Sequence, residues 1–423
     1  MENSTIALII LAVTIILFIS GKVPLAVTAV SSALAMGIFG VISFKTVFAG
    51  FSSDVTMMVL GALILGETLF ETGVAEKMGT EMIKLVGNNE RLFIIVCILV
   101  SAVLSAFLSD SAVVAMLIPV VAATAAGSNG KIRAESAYMA IGFASNFGGG
   151  MTLVGSTPNV IAQGLLTDNG LTAMSFFDLT LGSIPRLIFM ILFYATIGYT
   201  MQNHIFRFKE TKPEYTNKRS EGKVYKKSKM IISSGIMLFA IFGFVTGIWT
   251  VGMVAMTAGM LCIITRCVDL KALYYHLDWS TIWVMAGSLG FAAGISESGA
   301  GQLIADQFIG LLGGDISMFK LLVMMTILSA ILANMMSSTA TMAMIGPIAL
   351  AMALSLGYDA KPVLMVITWG INFAFLSPVA TVPITMTLVG GYRFLDYTKM
   401  GILQVIIGMA LTIACYPFIF NLG

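Results

Sequence analysis

LSAFLSDSAVVAMLIP (104–119) and LANMMSSTATMAMIGP (332–347) are one motif written twice. Ser109 meets Ser337, Ser111 meets Thr339, Ala112 meets Ala340 and Pro119 meets Pro347, at an offset of 228 residues. A second pair follows in the same order. TLVGSTP (152–158) aligns with SPVATVP (377–383) at an offset of 225, with Val154 on Val379 and Pro158 on Pro383. A single match could reflect shared apolar composition. Two matches in one order at nearly one offset argue for internal duplication.

The background around these motifs is apolar. Of 423 residues, 58% are hydrophobic, against 23 basic and 21 acidic residues. A soluble domain carries roughly a quarter of its residues as Asp, Glu, Lys and Arg. The deficit excludes a soluble enzyme, and the hydrophobicity excludes a disordered chain. A net charge of +2 implies no nucleic-acid partner. Long apolar runs indicate spanning helices; a membrane barrel would show short alternating segments.

A helix needs about 20 apolar residues to cross the hydrocarbon core. The runs 4–20, 23–41, 54–72, 180–201, 230–248, 250–267, 279–297 and 396–420 read as crossings. The first follows MENST without a basic stretch and reads as a mature span, not a cleaved signal. Two more runs, 134–165 and 361–390, are interrupted by Gly148-Gly149-Gly150, Gly155-Ser156-Thr157-Pro158, Ser377-Pro378 and Thr381-Val382-Pro383. The stretches 91–126 and 317–353 carry Ser109-Asp110-Ser111 and Ser337-Ser338-Thr339 in their middles, and we read them as re-entrant hairpins. The fold class is therefore an all-α polytopic membrane protein of two inverted repeats. Each has about five transmembrane helices, a re-entrant hairpin and a broken helix. The expected boundaries are 1–201 and 230–423, joined by a basic linker at 202–229.

Five crossings is odd, so the second half inserts upside down. Charge is consistent with this. The linker is basic, with Arg207, Lys209, Lys212, Lys218, Arg219, Lys223, Lys226, Lys227 and Lys229 against Glu210, Glu214 and Glu221. By the positive-inside rule it is cytoplasmic. Every other basic residue then falls in an inside loop except Lys45, Arg186, Lys320 and Lys361, which fall outside or near the outer face.

Inverted repeats with interrupted helices point to a secondary transporter. Breaks free carbonyl oxygens that can ligate a cation, and expose helix N-termini that attract anions. Irregular backbone at membrane depth must line a cavity or be buried in protein. Ser105 and Ser109 share a helix face one turn apart and offer hard oxygen ligands. Asp110, a carboxylate in an apolar run, is the sharpest functional candidate. Ser337, Ser338, Thr339 and Thr341 form the matching cluster without a carboxylate. Gly155-Ser156-Thr157-Pro158-Asn159 and Ala380-Thr381-Val382-Pro383 supply the breaks. Glu67 and Glu71, late in one span, read as carboxylates reaching the interface, with a proton relay as the sharper alternative. The four cysteines read as packed thiols. No GxxxxGK[ST] and no HExxH is present, which speaks against ATP drive and metalloprotease chemistry.

At these motifs the sequence resembles the divalent-anion/sodium symporter family of the ion transporter superfamily. That family carries Ser-Asn-Thr at two hairpin tips, each followed by a helix broken at a Thr-Pro element. Here Ser109-Asp110-Ser111 and Ser337-Ser338-Thr339 stand at the tips, with GGGMTLVGSTPN (148–159) and LSPVATVP (376–383) at the breaks. Both family asparagines are replaced, by Asp110 and Ser338.

The resemblance implies a homodimer in the plasma membrane that imports small di- or tricarboxylates with Na⁺ by an elevator motion. It implies Na⁺ ligands at Ser105, Ser109, Asp110 and Gly155 in one half, and Ser337, Thr341 and Ala380 in the other. Substrate would meet Ser111, Thr157, Asn159, Ser338, Thr339, Thr381 and Pro383. Asp110 strengthens cation binding and repels a nearby dianion. It also looks like the Asp of some sodium/proton antiporters and the Asn-Asp pair of arsenite permeases. A sodium/proton antiporter using Asp110 and an arsenite or oxyanion permease therefore stay open as alternatives.

Overall fold

The computed structural model describes residues 2–20, 22–84, 89–128, 130–206, 225–311, 316–378 and 380–421. Most of the predicted linker, 207–224, lies outside the described residues, as does Val379 in the second break. Among the described residues the regular structure is entirely helical.

The first repeat opens with α1 (Asn3–Ser20), α2 (Leu25–Ile38), the short α3 (Phe44–Ala49) and α4 (Asp54–Glu71). Then come α5 (Val74–Lys84), the hairpin α6 (Glu90–Ser105) and α7 (Asp110–Gly127), the half-helices α8 (Glu135–Gly149) and α9 (Thr157–Asp168), and α10 (Thr180–Phe193) continuing through a π turn into α11 (Tyr199–Ile205). The second repeat gives α12 (Lys227–Thr246), α13 (Val251–Ile264), the short α14 (Leu270–His276), α15 (Trp279–Glu297) and α16 (Ala300–Leu311). It closes with the hairpin α17 (Met318–Met335) and α18 (Ser338–Ser355), the half-helices α19 (Ala360–Ile371) and α20 (Val382–Met386), and α21 (Phe394–Ala414) with its coda α22 (Tyr416–Ile419). The same series thus runs twice, and the two hairpins and two broken helices fall where the motifs place them. Seven helical segments among the described residues are long and apolar enough to cross a membrane unaided.

Three boundaries differ from the sequence reading. Helix α2 and helix α13 have 14 residues each, about 21 Å at 1.5 Å per residue. The predicted spans 23–41 and 250–267 included turns at their ends. Helical structure runs to Ile205 and resumes at Lys227, so it reaches into both ends of the predicted linker. Helices α5 and α16 were not anticipated: each is a short connector between a long helix and a hairpin.

Packing separates two kinds of element. Helix α4 packs along α13 and α2 along α15, so the crossing helices of the two repeats interlock. Glycine makes the first of these contacts possible. A Cβ on Gly61 would lie 2.3 Å from the Ala255 carbonyl carbon. The hairpins pack elsewhere. Helix α6 lies on α8, and α17 lies on α19. The second half-helices then cross over, α9 onto α18 and α20 onto α7. Each break therefore stitches its own hairpin to that of the other repeat.

Candidate transport site

Both hairpin tips and both breaks line one cavity of about 810 Å³. Four helix starts meet there: Ser109 precedes α7, Ser156 precedes α9, Ser337 precedes α18 and Thr381 precedes α20. The positive ends of these helices face the cavity. Ser156 and Thr381 make no side-chain capping bond to their helices, and both line the cavity. The Ser337 hydroxyl instead accepts from the Ala340 amide at 3.2 Å.

Of the residues singled out in the sequence, Ser109, Asp110, Ser111, Gly155, Thr157, Ser337, Ser338, Thr339, Ala380, Thr381 and Pro383 reach this cavity. Three, Asn159, Thr341 and Ser105, do not line it, and each is buried with its donor bonded inside the protein. Asn159 is fully buried, and its amide donates to the carbonyls of Gly149 and Thr152, both at 2.8 Å. It holds the break closed and corrects the expectation of a substrate contact. The buried Thr341 hydroxyl donates to the Ser337 carbonyl at 3.1 Å, one turn back. Buried Ser105 donates from its hydroxyl to Asp110 Oδ1.

The first tip gathers oxygen. A Cβ on Gly155 would lie 2.5 Å from the Gly149 carbonyl oxygen and 2.8 Å from that of Ser105. One on Gly149 would lie 2.2 Å from Asp110 Oδ1. Two carbonyls, a carboxylate and the Ser105 hydroxyl thus crowd onto the same pair of glycines. Hard oxygens of this kind suit a small hard cation. Around the second tip the oxygens are neutral ones.

Two asparagines belong to the site and were missed. Asn146 and Asn372 both line the cavity. Asn146 reaches across the repeats, its amide donating to the Thr381 hydroxyl at 3.4 Å. The signal was present as Asn146-Phe147 and Asn372-Phe373, a pair at an offset of 226 between the two motif offsets. Asn334 ties the second hairpin to its break, donating to the Phe373 carbonyl at 3.0 Å and accepting from the Leu376 amide at 2.8 Å.

The opposite wall comes from α4 and α15, with Val59, Leu63, Glu67, Phe70, Thr281 and Val284. Glu67 is only 7% exposed, so it is not the interfacial carboxylate its position suggested. Its Oε1 lies 3.2 Å from His276 Nδ1. With Glu71 these groups bring their ligand atoms within 4.8 Å of one another. The described residues that line the cavity include Glu67, Asp110 and Asp278 but no Lys or Arg.

A cavity lined by two hairpin tips and two helix breaks, within interlocked membrane helices, is the arrangement of a membrane transporter. The chain matches the CitMHS citrate transporter family over residues 15–370 and belongs to that family. A sodium-dependent dicarboxylate transporter of Staphylococcus saprophyticus is 25% identical over 86% of this chain and 76% of its own. The sodium-dependent high-affinity dicarboxylate transporter 3 of Caenorhabditis elegans is 22% identical over 94% of this chain and 79% of its own. An uncharacterized Escherichia coli transporter, YfbS, is 33% identical, but the match spans 46% of this chain and 31% of that protein. The fold is shared with the YdaH transporter of Alcanivorax borkumensis, at a TM-score of 0.65 and 11% identity over 90% of this chain and 88% of that one.

Proposed function

We propose that the protein is a sodium-coupled secondary transporter that imports small di- or tricarboxylates by an elevator motion. The observation that carries this reading is the convergence of both tips and both breaks on one cavity. Helix starts and hydroxyls suit carboxylate groups, and the oxygen cluster at Asp110 and Gly155 suits Na⁺. The sodium-dependent dicarboxylate relatives support the same cargo and coupling ion.

The motion follows from the two walls. One wall is the interlocked α4 and α15; the other is the hairpins with their broken helices. Val59, Leu63 and Val284 from one wall and Phe107, Val154 and Val160 from the other line the cavity with apolar side chains, a surface suited to sliding. The linker is assigned to the cytoplasm on its charge, in a plasma-membrane homodimer of two repeats. Thr72 at the end of α4 bonds Ser233 at 2.9 Å, and Tyr225 bonds Glu76 at 2.6 Å, so this end of α4 adjoins the linker. Glu67 and Phe70 near that end line the cavity, which on this assignment lies toward the cytoplasmic side.

The test is uptake of radiolabelled citrate and succinate into proteoliposomes with and without an inward Na⁺ gradient. Sodium-stimulated accumulation is expected, with loss in Ser109→Ala and Thr339→Ala. Asp110 favours a second reading, sodium/proton antiport. In that case neither acid moves, and a sodium pulse changes lumenal pH in a manner abolished by Asp110→Asn.

A further inference from the structure

Arg186 was expected near the outer face, yet it is 0% exposed. A buried guanidinium is costly unless it is paired and hydrogen-bonded. Among the described residues no carboxylate forms a salt bridge with it. Its partners are a backbone carbonyl, a serine hydroxyl and two rings, and they belong to both repeats. Nη1 donates to the Trp369 carbonyl at 2.7 Å, in the last turn of α19. That carbonyl is available because the Phe373 amide has turned to the Gly370 carbonyl. Nη2 donates to the Ser183 hydroxyl at 2.5 Å, and that hydroxyl lies 2.7 Å from the Gly150 carbonyl, which follows α8. One side chain thus reaches the C-terminal ends of both first half-helices, where the helix dipole is negative.

The rings repeat the pattern. The guanidinium carbon lies 5.2 Å from the Phe147 centroid and 5.3 Å from that of Phe373. Phe147 and Phe373 are the matched pair following Asn146 and Asn372. A single cation therefore sits between equivalent groups of the two repeats, on the side of the breaks away from the cavity. It is one layer behind the wall. A Cβ on Gly150 would lie 3.3 Å from Arg186 Nη2 and 2.3 Å from the amide nitrogen of Asn372, which lines the cavity.

We infer that Arg186 is the fixed countercharge of the transport site, a positioning residue that ties both breaks together and sets the preference for multiply charged anions. The described cavity lining holds Glu67, Asp110 and Asp278 with no Lys or Arg, and its one imidazole, His276, is turned to Glu67, so a permanent positive charge for a di- or trianion, added to that of the helix starts, has to come from behind the wall. Two breaks bound to one rigid fork also keep their helix starts aimed at one point. The selectivity part rests on the carboxylate reading above.

The experiment compares wild type, Arg186→Lys and Arg186→Gln in proteoliposomes, after size-exclusion chromatography in detergent shows each to be monodisperse. Half-saturating concentrations and maximal rates are measured for citrate, succinate and lactate. Arg186→Gln is expected to raise the half-saturating concentration about tenfold for citrate and succinate, and to narrow their preference over lactate. Arg186→Lys keeps the charge and loses the fork, so it retains the preference with a reduced maximal rate. A purely structural role would weaken all three acids alike. If wild type transports and Arg186→Gln keeps both affinity and preference, the inference is overturned. If Arg186→Gln does not fold, Arg186→Lys decides, and a lost preference there overturns it. If wild type moves no carboxylate, the functional reading fails and takes the selectivity role with it.

Discussion

Asp110→Asn is expected to raise the sodium concentration for half-maximal uptake by about tenfold to a hundredfold, and Asp110→Ala to abolish uptake. Asp110 is the first residue of α7, and its Oδ1 accepts from the buried Ser105 hydroxyl. An asparagine keeps that acceptor and almost the same volume, so the tip geometry survives. What it loses is the negative charge beside the Gly149 and Ser105 carbonyls that crowd Gly155. An interaction with an ionised group contributes about 1.5–3 kcal/mol, and each 1.4 kcal/mol is a factor of ten. Alanine removes both oxygens and leaves the Ser105 hydroxyl buried without this acceptor. The check is sodium-titrated succinate uptake at fixed substrate. Unchanged sodium dependence in Asp110→Asn would remove Asp110 from the cation site.

Much of this fold was legible because two constraints are strong in membranes. Backbone must be satisfied within helices, and breaks are confined to cavities or protein interior. Long apolar runs therefore marked crossings, and Gly-Ser-Thr-Pro clusters inside such runs marked the breaks. Helices α5 and α16 escaped because they are too short to read as spans. VAEKMGTEMIK (74–84) in α5 carries acidic and basic residues that look like a loop until its neighbours are placed.

The site was legible where duplication doubled a weak signal. Ser337, Ser338 and Thr339 are unremarkable alone and gain meaning from Ser109, Asp110 and Ser111. The same logic reaches Asn146 and Asn372, whose offset of 226 matches the motifs, but an asparagine in an apolar run does not mark a break as glycine and proline do. Arg186 was not legible at all. Its burial depends on the Trp369 carbonyl, the Ser183 hydroxyl and the rings of Phe147 and Phe373, which only the folded chain assembles. Asn159 failed for a related reason: a polar residue beside a break can serve the backbone that makes the break.

Gly148→Ala is expected to be severely damaging, whereas the same added methyl at Gly235 should stabilise the protein. A Cβ at Gly148 would lie 2.2 Å from the Ala102 carbonyl oxygen and 2.6 Å from its Cα. The obstacle is backbone of α6, so no side-chain rotation relieves it. Helices α6 and α8 must part, and they form the seam between the first hairpin and its broken helix. Neighbouring bonds run along that seam: buried Ser101 donates to the Ile141 carbonyl at 2.8 Å, and Thr152 donates to the Ala106 carbonyl. Overpacking a tight core typically costs about 1–3 kcal/mol and sometimes more. Parting two helices that carry a site costs the upper end of that range, and misaligns the Asp110 tip as well. Gly235 in α12 is the contrast, with nothing within 4 Å of an added Cβ. There the gain in helix propensity applies, about 0.5–1 kcal/mol. Thermal unfolding in detergent with paired uptake assays reads both. Gly148→Ala should lose the folded peak and all uptake, while Gly235→Ala should unfold slightly higher with transport intact. A stable, active Gly148→Ala protein would mean that α6 and α8 do not meet at this seam.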